Sequence, residues 1–517
     1  MQKILRFSAI RYIFTLVLEA LSTKIHRKSM PDFFKNLIVL LQSRIFLLLF
    51  GTISELVYLL YLLHAFPLLH YFQNTRTDLG GITRYSQVGF LQFVIAFSFL
   101  FVLFGLAWWE AHKYRDRATL WTILGFGGIF ALTTSFVYPI TAVDIFNYIV
   151  QGLILVQYHA NPIIVTPAQF AHDPLMKLAI DFFSVSSPYG PLDQFIQALP
   201  IVIVGRNVLA SLLIIKFMSS AILILEAFFV YKILSHTAPK LALSGALALA
   251  WNPFALLEYS ANSHNDIIMM LFVVLAVFAL VKEHHFWAIT FITASSLIKF
   301  ASLPLIPLFF LYSIVHQPTQ KKRIQYALKA LIIFFSLMID SFALFWAGPQ
   351  TLQRLLNVAQ GYLYSFSIFL VNISSPSLSY NQARQIGWVL FGVCFLYALW
   401  LSSRDFSQML KGCFITMFTL LAFGATYVQP WYLIWSFALA ILIPQTKVSL
   451  AAFLLVYGAT LAELAHAYIF PWSGSQYRHI FVITNSIVYL MIFLPPLLLL
   501  TACLFKPIFL QVSSSQE

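Results

Sequence analysis

Residues 143–162 read VDIFNYIVQGLILVQYHANP, an apolar run that begins with a carboxylate. Asp144, Asn147, Tyr148 and Gln151 recur at positions i, i+3, i+4 and i+7, so an α-helix would align them on one stripe. The spacing therefore predicts an amphipathic helix with one polar stripe. A solvated helix face is one interpretation of this stripe, and a functional site is the other.

The composition indicates the class of protein. The 517 residues are 60% hydrophobic and only 9% charged, with a mean hydropathy of +0.85, and a soluble globule of this size could not bury so much apolar surface. Apolar blocks long enough to cross a hydrocarbon core of about 30 Å recur from about residue 45 onward, without the alternation of a barrel. The predicted fold class is an all-α polytopic membrane protein, a bundle of about 11–14 transmembrane helices.

These blocks define fourteen candidate spans. They lie at about 45–70, 88–109, 119–137, 207–231, 241–257, 267–281, 286–298, 303–315, 327–347, 385–401, 412–426, 431–444, 448–468 and 480–505. The three between 267 and 315 are short for helices that rise about 1.5 Å per residue. Short spans of this kind are tolerated beside protein or water, so they suggest a polar cavity.

The distribution of basic residues predicts the orientation. Of the 31 Lys and Arg residues, 22 fall on the side that carries the N-terminus and 7 on the opposite side. Because cytoplasmic loops carry an excess of Lys and Arg, we expect the N-terminus in the cytoplasm. The net charge of +13 then reflects these loops, and no nucleic acid partner is expected.

The domain organisation follows from the same blocks. Residues 1–44 are predicted to form a basic interfacial segment, and residues 45–510 a single membrane domain. The longest segments between spans, 138–206 and 348–384, are both predicted to be extracytoplasmic, with helices that lie on the bilayer. The three cysteines fall inside predicted spans, which leaves no disulfide framework or paired-cysteine metal site.

Three further segments with polar groups fall on the predicted extracytoplasmic side. Residues 184–194, SVSSPYGPLDQ, contain two prolines and Gly190, which predict a rigid turn presenting Ser187, Tyr189 and Asp193. Residues 426–435, TYVQPWYLIW, place several aromatic rings at a membrane boundary. An ordinary loop and an interfacial aromatic belt are the simpler interpretations, and a ligand-binding surface is the alternative.

The third segment is EYSANSHNDIIMM, residues 258–270. It contains five hydrogen-bonding or charged side chains within nine positions: Glu258, Asn262, His264, Asn265 and Asp266. Such groups are costly to bury beside a bilayer unless they pair or serve a function. No third ligand stands at metal spacing from His264 and Asp266, so no metal site is predicted.

A lysine lies at the edge of two short predicted spans. Lys299 stands in SSLIKFASLPLIP, residues 295–307. Its side chain either extends to the interface along the lipid or serves a function inside a cavity.

At these residues the sequence resembles the GT-C fold integral-membrane glycosyltransferases, particularly the prokaryotic polyprenyl-phosphate-mannose-dependent α-mannosyltransferases. The matching strings are DIFNYIVQG followed by NP at 161–162, then SPYGPL, SHNDIIMM, LIKFASLPLIPL and QPWYLIW. Their order and spacing cover residues 140–440. Asp144 matches the extracytoplasmic acidic residue that is the usual catalytic base in such enzymes, although many of them carry it after the first span rather than the third. The family string NPY is NPI here.

The resemblance implies a glycosyltransferase that moves a sugar, mannose by family, from a polyprenyl-phosphate donor to an extracytoplasmic glycan or lipid acceptor. A single carboxylate base, with the phosphate leaving from the opposite side of the ring, predicts an inverting reaction. We expect Asp144 to be the base, and Lys299 and His264 to bind the donor phosphate. The residues expected to bind the sugar or the acceptor are Tyr148, Tyr189, Asn265, Asp266, Gln429, Trp431 and Tyr432.

A sugar on a lipid phosphate is already activated, so no cofactor or metal is expected, and the sequence has no phosphate-binding glycine loop. The expected partners are the polyprenyl-phosphate sugar, the acceptor and membrane lipids. A transporter or flippase of lipid-linked sugars is the alternative function, because broken helices with polar groups also form solute sites. Transporters commonly contain two related halves, which this sequence lacks.

Overall fold

The computed structural model describes residues 44–75, 77–357, 361–374 and 377–511. Within these ranges the chain is helical and forms no β-strand. Ten helices are long and apolar enough to cross a membrane, and five shorter apolar helices accompany them in the described part of the chain. The all-α, multi-pass prediction is confirmed.

The fifteen helices are numbered here in chain order. They are α1 (Ile45–Leu63), α2 (Gln87–Ala111), α3 (Arg117–Ser135), α4 (Asp144–Val156), α5 (Pro191–Val204), α6 (Val208–Thr237), α7 (Pro239–Ala261), α8 (Asp266–Val281), α9 (His285–Ile298), α10 (Leu305–Val315), α11 (Gln320–Phe342), α12 (Tyr380–Ser402), α13 (Phe406–Gly424), α14 (Thr446–Ser473) and α15 (Ile480–Thr501). Shorter helices span Pro349–Asn357, Phe366–Ser374 and Leu433–Ala440.

The predicted spans agree with these helices in position more than in length. The three short predicted spans correspond to α8, α9 and α10, which contain 16, 14 and 11 residues. The prediction of a span at 431–444 is wrong, because the helix there contains only 8 residues, Leu433–Ala440. At about 1.5 Å per residue this helix is too short to cross a bilayer.

The polar stripe of α4 is buried inside the protein. Eleven of the 13 residues of α4 are buried, because α5 packs along it. Gly152 allows this approach, since an added Cβ atom would lie 2.4 Å from the Gln197 carbonyl oxygen. Within the stripe, Gln151 donates a hydrogen bond of 3.1 Å to Asn147. The interpretation of this stripe as a solvated helix face is therefore wrong.

Helices α3, α6, α7 and α8 form the packed centre beside α4. Helix α6 packs against α3, α5, α7 and α8, and α8 packs against α9. The end of α7 is almost wholly buried, as are the residues that connect it to α8. This packing brings together the loops that precede α4, α8 and α10, which carry most of the polar side chains singled out above.

An arginine fork holds the segment between α4 and α5. Arg206 donates to both carboxylate oxygens of Asp173, at 2.8 and 2.6 Å, and Tyr158 donates to Asp173 at 2.8 Å. The hydrogen bonds from Arg206 lower the pKa of Asp173 to about 2. This segment is therefore anchored to the start of α6 by a charged pair.

Most of the predicted N-terminal segment 1–44 lies outside the described residues, so its interfacial placement stays a prediction. Arg44, its last residue, is buried. Its guanidinium bonds to Asp116 and donates to Thr119 at 2.7 Å.

Candidate active site

Asp144 is the first residue of α4 and lies in a nearly closed environment. Its side chain is buried, with 8% of the residue exposed. The Tyr189 hydroxyl donates a hydrogen bond of 3.3 Å to it. Burial raises the pKa of Asp144 to about 6, while the nearby Lys299 ammonium opposes this rise. Such a carboxyl group can accept a proton near neutral pH.

Lys299 is the cation of the site and forms an ion pair with Asp266. Its ammonium donates to the two carboxylate oxygens of Asp266 at 2.8 and 3.0 Å. Trp435 donates to the same carboxylate at 2.6 Å. Asp266 is fully buried, whereas 14% of the Lys299 side chain remains exposed. The ammonium is thus held in place by Asp266, while part of the Lys299 side chain stays exposed.

Aromatic rings surround the Lys299 ammonium. The distances from Nζ to the ring centroids are 4.5 Å for Tyr432, 5.4 Å for Trp435 and 5.7 Å for Tyr189. These are cation–π distances. Tyr189 therefore contacts both Asp144, through its hydroxyl group, and Lys299, through its ring, and it joins the two charged groups.

A glycine explains how Tyr189 reaches Lys299. Gly190 donates a backbone hydrogen bond of 2.9 Å to the Ile298 carbonyl oxygen at the end of α9. A Cβ atom on Gly190 would lie 2.0 Å from the Leu297 carbonyl oxygen, so no larger residue fits without displacement. The string SPYGPL is thereby fastened directly beside Lys299.

Tyr148 connects α4 to the loop before α8. Its hydroxyl group accepts a hydrogen bond of 3.3 Å from the Asn265 backbone N–H. Its ring packs edge to face on Tyr189, with centroids 5.6 Å apart. The predicted site residues Asp144, Tyr148, Tyr189, Asn265, Asp266, Lys299 and Tyr432 therefore lie together.

His264 and Trp431 form an adjoining pair. Their rings stack with centroids 4.0 Å apart and an interplanar angle of 16°. His264 Nε2 lies 3.3 Å from a carboxylate oxygen of Glu258, which also accepts from Asn262 at 2.8 Å. Burial, followed by the Lys299 charge, lowers the pKa of His264 well below its usual value, which favours a neutral imidazole. Because the rings of Trp431 and Tyr432 are 5.9 Å apart, this pair borders the Lys299 group.

Gln429 lies further out than the other predicted residues. It is partly exposed, and it donates a hydrogen bond of 2.6 Å to Tyr427, whose side chain is also exposed. Gln429 and Tyr427 therefore lie at the exposed rim of the site.

A small, mostly apolar cavity is lined by Tyr148 and by apolar residues that include Ile215 and Ile268. Its polar lining consists of Tyr148, Asp193, Gln197, Ser219, Ser263 and Asn265. Burial raises the pKa of Asp193 to about 7, against the effect of neighbouring Asn265. Gln197 donates to Asp193, and its own amide oxygen has no partner among the described residues. Polar side chains therefore border an otherwise apolar cavity next to Tyr148.

The sequence pattern did not identify every residue of the site. Trp435 stands three positions after Tyr432, a spacing that places both on one helix face. Its hydrogen bond to Asp266 could not be predicted from the sequence, because the aromatic residues there also fit an interfacial belt. Glu258 belongs to the polar segment 258–270, but nothing in the sequence places it beside His264. Glu463 on α14 is also buried, with an oxygen that lacks a partner in the described part.

The site combines a carboxyl group, a cation and aromatic rings. In the described ranges no three His, Cys, Asp or Glu residues are grouped to hold a metal ion. The site's carboxyl group of raised pKa could take a proton, and its ammonium group and aromatic rings are of the kinds that bind phosphates and sugars.

Comparison with known proteins gives two matches that together cover most of the chain. A family model described as Alpha-(1->6)-mannopyranosyltransferase, N-terminal domain, matches residues 49–315, and a model described as MptB C-terminal domain matches residues 358–498. The first model alone covers more than half of the chain. It contains every string of the resemblance except QPWYLIW, which lies in the second.

A curated relative agrees with these models. Alpha-(1->6)-mannopyranosyltransferase A of Mycobacterium tuberculosis is 23% identical over an alignment of 340 residues, which covers 61% of this chain. The match spans 64% of that relative's length. The resemblance inferred from the five strings is thus confirmed, and the chain belongs to the alpha-(1->6)-mannopyranosyltransferase family.

Proposed function

We propose that this protein is an α-(1→6)-mannosyltransferase that moves mannose from a polyprenyl-phosphate donor to a hydroxyl group of a glycan or glycolipid acceptor. The observation that carries the proposal is the joining of a buried base, Asp144, to a phosphate-binding cation, Lys299, through Tyr189. Family membership supports the sugar and the linkage.

In the proposed reaction, Asp144 takes the proton of the acceptor hydroxyl group as that oxygen forms a bond to the anomeric carbon. The bond between the anomeric carbon and the phosphate oxygen breaks, and its electron pair leaves with the polyprenyl phosphate. A buried carboxylate with a pKa of about 6 is ionised at neutral pH and basic enough to assist. Attack opposite to the leaving phosphate inverts the anomeric carbon, so an α-linked product requires a β-linked donor.

The leaving phosphate needs positive charge and hydrogen-bond donors. Lys299 supplies the charge, and its pairing with Asp266 and Trp435 keeps the ammonium in one position before the donor arrives. A neutral His264 can supply one N–H donor. Pre-positioned donors of this kind stabilise the leaving group without reorganisation during the reaction.

The aromatic residues suit the sugar ring. Tyr432 lies next to the Lys299 ammonium, and Trp431, which stacks on His264, lies next to Tyr432. Apolar faces of hexoses pack on such rings, while their hydroxyl groups bond to amides such as that of Asn265. Gln429 and Tyr427 at the rim would contact the acceptor.

We further propose that the site opens on the extracytoplasmic side and that the N-terminus is cytoplasmic. The asymmetry of Lys and Arg supports this orientation. The lipid-linked donor would then approach from the outer leaflet. A flippase is less well supported, because a flippase has no need of a base joined to a phosphate-binding cation.

A donor panel tests the proposed function. Purified protein in lipid nanodiscs is incubated with polyprenyl phosphates that carry labelled mannose, glucose, galactose or arabinose, together with a mannan or mannolipid acceptor. We expect transfer of mannose, with inversion at the anomeric carbon. Movement of a lipid-linked sugar across a vesicle membrane without transfer would establish the flippase instead.

A substitution tests the assignment of the base. Asp144→Asn should lower kcat about 10²- to 10⁴-fold, the range for loss of a general base, with unchanged thermal stability. Asp181→Asn is the matched control, because Asp181 is exposed and should tolerate the same change. Full activity of Asp144→Asn would exclude Asp144 as the base.

A further inference from the structure

A lysine far from solvent lies between the two loops that carry the site. Lys216 is on α6, within a predicted membrane span, and its side chain is fully buried. None of the ion pairs in the described ranges involves Lys216. A buried ammonium without a carboxylate is costly, so its presence calls for a specific role.

The Lys216 ammonium is satisfied by two backbone carbonyl groups. It donates a hydrogen bond of 2.9 Å to the Val137 oxygen and another to the Ala261 oxygen. Val137 follows the end of α3, and Ala261 is the last residue of α7. Carbonyl groups at helix C-terminal ends carry partial negative charge, which favours a cation there.

These two carbonyl groups begin the two loops of the site. The chain runs from Val137 to Asp144 in seven residues, and from Ala261 through His264 to Asp266 in five. One ammonium therefore links the loop that carries the base to the loop that carries the partner of Lys299.

A second bond joins the same loops. Asn262 donates a hydrogen bond of 2.5 Å to the Thr141 hydroxyl group. Two backbone hydrogen bonds also hold the first loop. The Tyr138 N–H donates to the Phe66 oxygen at 2.7 Å, and the Leu79 N–H donates to the Ile140 oxygen at 2.8 Å. The loop that leads to Asp144 is thus hydrogen-bonded to several neighbouring segments, and Lys216 makes its charged contact.

We propose that Lys216 is a positioning residue that sets the distance between the Asp144 base and the Lys299–Asp266 pair by binding the Val137 and Ala261 carbonyl groups. Lys216 contacts neither substrate. Its loss should misplace the base relative to the donor, which lowers the rate of transfer much more than it weakens donor binding.

Lys216→Met tests this role, because methionine fills a similar volume without a hydrogen-bond donor. We expect kcat to fall at least tenfold, with the donor KM changed less than threefold. Glu226→Gln is the matched control on the same helix: Glu226 is fully buried, neither of its carboxylate oxygens has a partner among the described residues, and it lies about 15 Å along α6 from Lys216. This control should keep its kcat.

Hydrogen exchange gives a readout that does not depend on activity. In Lys216→Met, amide exchange should accelerate in residues 138–143 and 262–265 and stay unchanged in α12 and α13. The kinetic comparison rests on the proposed function, whereas the exchange comparison does not, so an inactive wild-type protein would contradict the function alone. If Lys216→Met does not fold, Lys216→Gln, which keeps an N–H donor, replaces it and should show the same pattern more weakly. Unchanged exchange in both loops, or a loss of donor affinity with kcat unchanged, would overturn the role of Lys216.

Discussion

At the scale of single residues, burial gives Asp144 its chemistry. A solvated aspartate is a weak base near neutral pH, whereas the enclosed Asp144 carboxyl group has a pKa of about 6. The Lys299 ammonium and the Tyr189 hydroxyl group both favour the ionised form and keep the pKa from rising further. The site thus balances desolvation against charge, so that Asp144 is basic and ionised at the same pH.

This balance predicts the pH dependence of the proposed transfer. Because the base must be ionised, kcat/KM should rise with pH and level off above an apparent pKa of about 6. Tyr189→Phe removes a hydrogen bond that lowers the pKa of Asp144, so the apparent pKa should increase in that variant. Rates from pH 4.5 to 8 in nanodiscs test both points. A profile that is flat down to pH 4.5 would contradict the assignment of the base.

Lys299 is predicted to act on the donor rather than on the acceptor. Lys299→Met should raise the donor KM about 10- to 100-fold, the size expected for loss of a charged hydrogen bond. The variant also leaves the buried Asp266 carboxylate to repel the donor phosphate. Lys299→Met combined with Asp266→Asn should therefore recover part of the affinity. An unchanged donor KM in the single variant would reduce Lys299 to a structural partner of Asp266.

At the scale of helices and loops, close backbone approaches decide which side chains meet. Gly152 brings α5 against α4, and Gly190 brings SPYGPL against the end of α9. The first contact buries the polar stripe of α4, and the second places Tyr189 beside Lys299. Both glycines act by lacking a side chain at a contact with a backbone oxygen.

Gly190→Ala tests the second contact. Gly190 has φ of −71°, which alanine adopts freely, so any effect comes from the clash with Leu297. We expect destabilisation of about 1–3 kcal/mol, typical of overpacking, seen as a lower thermal unfolding temperature in detergent. Gly128→Ala on α3 is the control, because no atom lies within 4 Å of its added Cβ; it should be neutral or stabilising. Equal unfolding temperatures for the two variants would refute the close contact.

At the scale of the whole molecule, the short helices create the space for the site. Helices α8, α9 and α10 are shorter than a bilayer crossing requires. The site residues lie at the start of α8 and just past the end of α9, among neighbours long enough to cross. Polar residues can therefore gather at the ends of these short helices, among longer helices that have the length to cross the membrane.

The proposed orientation is also testable at this scale. In a variant without Cys394, Cys413 and Cys503, a membrane-impermeant thiol reagent applied to intact cells should label Asp181→Cys but spare Lys322→Cys. Both positions are exposed in the structure, so only their side of the membrane should differ. Labelling of Lys322→Cys alone would reverse the topology and place Asp144 on the cytoplasmic side.

Local patterns in the sequence determined much of this protein. Runs of apolar residues predicted a helical, multi-pass chain, because a helix satisfies its own backbone in lipid. Five short strings identified the family, and the i, i+3, i+4, i+7 spacing placed Asp144, Asn147, Tyr148 and Gln151 on one face of α4. These features can be recognised along the chain without knowing which distant segments contact each other.

Contacts between distant segments were decided only by the tertiary structure. Asp266 pairs with Lys299 and Trp435, 33 and 169 residues away, and Lys216 binds carbonyl groups 79 and 45 residues away. The burial of α4 likewise required α5 to pack along it. The physical reason is that such contacts, and the pKa changes that burial causes, depend on how closely helices approach each other in three dimensions, which local periodicity does not encode.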